Sequence, residues 1–90
     1  MLLIVDPQVD FITGSLPVPG AEKAMNSLAG YILRNRSRYS MIVVTADHHP
    51  ADHCSFREQG GPWPTHCVAH SDGASIWPPL AKAIDMSCIP

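Results

Sequence analysis

Leu2-Leu3-Ile4-Val5-Asp6 and Met41-Ile42-Val43-Val44-Thr45-Ala46-Asp47 are two apolar runs that each stop at an aspartate. Neither run alternates polar with apolar residues, and runs of this kind suit parallel strands covered on both faces. Between them, Ala24, Leu28, Tyr31 and Ile32 fall at helical spacing, which predicts a helix over Ala21–Asn35. Gly30 weakens that helix slightly. A strand over Leu2–Val5, the helix, and a strand over Met41–Ala46 make a βαβ unit, whose crossover is expected to be right-handed. In open parallel sheets ligands bind just beyond the carboxyl ends of the strands, so Asp6 and Asp47 fall where chemistry is expected.

Composition narrows the possibilities. The 90 residues make one small domain, 1–90, with a thin stability margin. A hydrophobic fraction of 46% is that of a globular chain. The net charge of −2, with six Lys plus Arg, marks no nucleic-acid surface. Arg34, Arg36 and Arg38 read as a solvated helix end whose cations suit the dipole. No stretch reaches the roughly 18–20 apolar residues of a membrane span, and Met1 leads straight into a strand, so a cytoplasmic protein is expected. Three irregularly spaced cysteines, Cys54, Cys67 and Cys88, imply reduced thiols and no disulfide framework.

From Pro50 to Pro79 the prolines and glycines multiply, which predicts a long irregular excursion, and such loops are usually functional. A short helical turn near Pro78–Lys82 and a third strand over Ala83–Cys88 are expected to follow. With one good helix for strands apolar on both faces, the chain reads as the first half of an α/β domain.

The excursion carries the chemistry. Asp47-x-His49 at a strand end points a carboxylate and an imidazole the same way. His66 is a third candidate donor and His53 a fourth, a set suited to Zn²⁺, Fe²⁺ or Mn²⁺. Against this, histidines in a polar loop are often only solvated. The pairs His53-Cys54 and His66-Cys67 offer a closed zinc site, but adjacent residues point apart and Cys-x₂-Cys spacing is absent. Asp6 reads equally as a general base or as a turn-holding carboxylate; Asp10 reads as structural, bonding backbone in its loop. Phe11 and Trp63 are core residues or the walls of a site for a flat ligand. Cys67 reads as a packing residue.

Leu3-Ile4-Val5-Asp6-Pro7-Gln8-Val9-Asp10-Phe11, with Gly14-Ser15-Leu16-Pro17-Val18-Pro19-Gly20-Ala21, resembles the opening of nicotinamidases in the isochorismatase-like cysteine hydrolase superfamily. Thr45-Ala46-Asp47-His48-His49-Pro50 through Phe56 resembles their metal loop, and Trp63-Pro64-Thr65-His66-Cys67-Val68 with Gly73-Ala74 resembles a second metal-loop signature. The resemblance implies a three-layer α/β/α, Rossmann-like domain with a parallel sheet, of which this chain is part. It implies Asp6 as the base of an Asp-Lys-Cys triad, and Asp47, His49 and His66 as ligands of a divalent transition ion, with His53 where some members place another. Phe11 and Trp63 match residues lining a nicotinamide pocket. In the family, a cysteine attacks the carboxamide, ammonia leaves, and water releases nicotinate from the thioester. The implied partner is a small molecule, nicotinamide or a related amide.

Lys82, Cys54, Cys67 and Cys88 do not match the triad lysine and cysteine, so the 90-residue chain is expected to lack amidase activity alone. The alternative is a non-catalytic metal-binding or interaction fragment, an oligomer or one completed by a complementing chain.

Overall fold

The two apolar runs pair in parallel. β1 (Leu2–Ile4) and β2 (Ile42–Val44) set Leu2 opposite Ile42, Leu3 opposite Val43 and Ile4 opposite Val44. A computed structural model describes residues 1–87, and among these the sheet is two-stranded. Both strands are shorter than their apolar runs, leaving Val5, Thr45 and Ala46 beyond the paired ends. Asp6, two residues past β1, lies in the left-handed region (φ 50°), which aspartate reaches more readily than most residues.

After a single turn, α1 (Val9–Ile12), the chain enters α2 (Ala21–Asn35) over the expected residues. Gly20 precedes it at φ 79°, a conformation that glycine adopts without strain. The packed face is turned slightly from the expected stripe. Leu28 and Ile32 lie on it with Met25 and Ala29, while Ala24 is exposed. Tyr31 lies off it, with its hydroxyl 2.6 Å from that of Tyr39.

The expected third strand does not form among the described residues. Residues 83–87 belong to α3 (Pro78–Ser87), and Cys88 lies outside the described residues. Pro78 and Pro79 sit in the first turn, where missing N–H groups cost little. Leu80, Ala83 and Ile84 then follow helical spacing, with Leu80 and Ala83 buried, whereas Asp85 interrupts any strand-like apolar run. Trp77 pins this helix to α2 by donating its indole N–H to Asn26 Oδ1 at 2.8 Å.

Ile4, Ala29, Ile32, Leu80 and Ala83 form the core, joined by Leu2, Ile42 and Val44. The sheet residues in it alternate along each strand, so both long helices cover one face. Leu3, on the other face, is half-exposed. The architecture is α/β with a parallel sheet, and two of its layers lie among the described residues. No helix among these residues is long and apolar enough to cross a membrane.

The excursion from Pro50 to Pro79 is irregular as expected but closely held. It contains single 3₁₀ turns at Arg57–Gln59 and Asp72–Ala74 and isolated bridges pairing His49 with Val68 and Phe56 with Trp63. His49 N–H donates to Cys67 O at 3.0 Å, and Ala69 N–H to His49 O at 2.8 Å. These bonds return residues 66–69 to the chain just beyond β2.

Candidate metal centre and adjoining cleft

One carboxylate and two imidazoles meet at that return. Single donor atoms of Asp47, His49 and His66 all lie within 4.8 Å of one another. His49 Nε2 stands 3.4 Å and His66 Nε2 3.9 Å from Asp47 Oδ2. Donors about 2.0–2.1 Å from a tetrahedral zinc ion are ~3.4 Å apart, so these spacings suit an ion after small adjustments.

Local bonds prepare the donors. His66 is 5% exposed, and its Nδ1 lies 2.7 Å from Pro64 O. A carbonyl only accepts, so Nδ1 carries the proton and the Nε2 lone pair faces Asp47. A metal-ligating histidine commonly has this arrangement. His53 is placed differently. Its ring stacks on that of His49 at 4.1 Å, and its Nδ1 accepts from Ser55 N–H at 3.2 Å. In the neutral ring Nε2 then holds the proton, and His53 lies beside the donor cluster, outside it.

Phe56, wholly buried, presents its ring edge-on to His49, His53 and His66 at 5.4–5.7 Å. Neither described cysteine joins the cluster, so the paired His-Cys arrangement does not form there. Cys54 is exposed and Cys67 buried. Burial pushes the Cys67 thiol up to about 12, helped by the charges of Asp10, Asp47 and Asp6. Burial opposes any charge there, whereas the three carboxylates favour a cation. Iodoacetamide at pH 8 is expected to alkylate Cys54 and spare Cys67 in the folded chain. Peptide mass mapping reads the result, and equal labelling of both would contradict the burial of Cys67.

Phe11 and Trp63 line one cleft of about 430 Å³ together with Asp47 and His66. Trp63 is half-exposed, and Phe11 lies 5.6 Å from the His66 ring. Both aromatic residues therefore stand away from the core and next to the donors. Asp6 lines a neighbouring cleft of about 300 Å³ with Phe11, which is common to both. Thr45 holds Asp6 twice: its hydroxyl donates to Asp6 Oδ1 at 2.7 Å and accepts the Asp6 N–H at 3.0 Å. A hollow of about 940 Å³ opens over the start of α2 and carries none of these candidate residues.

Sequence reasoning misses the supporting residues Thr45, Gln8 and Phe56. Asp10 does bond backbone in its own loop, at Ser15 N–H, but its stronger bond is to Cys67 N–H at 2.8 Å, 57 residues away. Asp6 is left-handed and Asp10 lies in α1, so the spacing Asp6-x-Gln8-x-Asp10 forms no extended face that could have pointed to this contact.

No family model matches the chain. It is 36% identical over 100 aligned positions to the nicotinamidase of Escherichia coli strain K12, covering 92% of this chain and 47% of that protein. Among solved structures it is similar to the pyrazinamidase of Pyrococcus horikoshii in complex with zinc. That match has a TM-score of 0.76 and 46% identity, covering 83% of this chain and 42% of the other. The yeast nicotinamidase bound to the inhibitor nicotinaldehyde matches with a TM-score of 0.85 and 28% identity, covering 98% of this chain and 53% of that one. The chain spans about half the length of these relatives. Parallel strands ending at a shared rim, and likeness in both sequence and backbone, lead to one conclusion: over nearly its whole length the chain is similar to isochorismatase-like nicotinamidases.

Proposed function

We propose that these residues form the metal- and ring-binding rim of an amidohydrolase that converts nicotinamide, or a related amide, to the acid and ammonia. The observation that carries the reading is the single cleft shared by Asp47, His66, Phe11 and Trp63. Two imidazoles and one carboxylate suit Zn²⁺, Fe²⁺ or Mn²⁺ and leave coordination positions open, as catalytic sites require. Zinc in the Pyrococcus protein and nicotinaldehyde in the yeast protein support this choice of ion and ligand. A divalent ion there supplies Lewis-acid polarisation and an anchoring position for a ligand atom.

The chain's own side chains have separable tasks. Phe11 and Trp63 bind the flat ring, and Asp47, His49 and His66 would hold the ion beside it. Asp6, fixed by Thr45, is the base that would accept a thiol proton. The nucleophile is not among the motif residues matched here, so the 90 residues alone are expected to release no ammonia from nicotinamide. Release at the rate of a full-length nicotinamidase would contradict that expectation. Binding is the sharper test. In calorimetry with the zinc-loaded chain, nicotinamide is expected to bind at least about tenfold more tightly than benzamide, which lacks the ring nitrogen. Equal affinities, or binding unchanged by zinc removal, would overturn the reading.

A further inference from the structure

The loop between β1 and α2 reaches both parts of the donor cluster without contributing a donor. Gln8 is wholly buried, and its amide is fully engaged. Nε2 donates to Asp47 O at 2.7 Å and to Ala74 O at 2.9 Å, while Oε1 accepts the Asp47 N–H at 2.9 Å. Both backbone polar groups of Asp47 are thus held by one side chain. Two residues on, Asp10 Oδ2 accepts the N–H of Cys67, the residue directly after His66, at 2.8 Å. Cys67 is left-handed (φ 49°) and buried, a conformation unfavourable for cysteine that surrounding contacts must maintain. The site is built around this carboxylate: a Cβ on Gly14 or Gly73 would overlap it. Ser15 adds a third tie, its hydroxyl donating to Thr65 O at 2.6 Å.

We infer that Gln8 and Asp10 are positioning residues that set the separation of Asp47 and His66 and thereby the affinity of the ion site. The inference rests on the reading of Asp47, His49 and His66 as donors. Asp47 and His66 are 19 residues apart, joined by an irregular segment that would not by itself hold their spacing. The clamp references both to one rigid segment that also carries Asp6. An amide suits the first position because Asp47 offers a donor and an acceptor together; a carboxylate suits the second because it meets only N–H groups.

The test is zinc affinity of the 90-residue chain, by competition with a chromophoric chelator, alongside the visible spectrum of bound Co²⁺. Gln8→Met keeps the side-chain volume and removes all three bonds; Asp10→Ala removes the second tie. Each folded variant is expected to bind zinc about 10–100-fold more weakly, with altered Co²⁺ band intensities. Asp10→Asn, which keeps an acceptor, is expected to recover most of the loss. Parent-like affinity and spectrum in folded Gln8→Met and Asp10→Ala would overturn the clamp. If the buried Gln8 variant does not fold, Asp10→Ala and Gly73→Ala, both acting at the same carboxylate, decide the question on the same criteria. His66→Ala keeps the two failures apart: parent-like binding there would reject the donor set, whatever the clamp variants do.

Discussion

His66→Ala is expected to weaken zinc binding by more than the roughly 10–100-fold that loss of a supporting residue costs. His66 is the most buried of the three donors, 5% exposed against 19% for the His49 side chain and 36% for that of Asp47. Its desolvation and orientation are complete before an ion arrives. The Pro64 carbonyl fixes its tautomer, and Phe11 and Phe56 pack its ring. Water can replace the lost donor atom but not that preparation. His49→Ala is expected to act in the same direction, and the loss should be smaller at His53, whose ring stacks on His49 outside the donor cluster. Chelator competition on the three variants gives the order, and a His53→Ala loss as large as that of His66→Ala would contradict it.

Phe56→Ala should have the largest effect on the fold around the site. The ring is fully buried beneath three histidines, and emptying such a position costs about 3–5 kcal/mol. Total stability for a small domain is on the order of 5–10 kcal/mol. A fall in Tm of roughly 12 °C or more is therefore expected, at about 4 °C or more per kcal/mol for a chain of this size. The excursion has no regular strand or long helix to hold it, so the loss should be concentrated there. Excess zinc should restore part of the Tm, because an ion that binds only the folded site stabilises it by mass action. Thermal melts followed by circular dichroism, with and without zinc, read both effects. A Tm within about 2 °C of the parent would contradict a supporting role for this ring.

What the sequence revealed and what it concealed follow from the range of the interactions. β1, α2 and β2 announce themselves because apolar runs and 3.6-residue spacing are local consequences of burial. The cluster of Asp47, His49 and His66 is legible as a candidate because Asp47-x-His49 sits at a strand end and histidines are rare enough to draw notice. The strand expected from Ala83 gives way to helix because Leu80, Ala83 and Ile84 pack together at helical spacing, and the stretch after Ala83 is too short to show that period. The two prolines that look like helix breakers belong in its first turn. The supporting residues were invisible for a different reason. Gln8 meets Asp47 across 39 residues and Asp10 meets Cys67 across 57, and no local pattern specifies such partners.

The central claim concerns which atoms face the ion, and X-ray absorption at the zinc edge of the zinc-loaded chain measures that directly. Two imidazole nitrogens and carboxylate or water oxygens are expected at about 2.0–2.2 Å, with no sulfur shell. Sulfur at about 2.3 Å would show that cysteine holds the ion, and the Asp47, His49 and His66 site would be wrong.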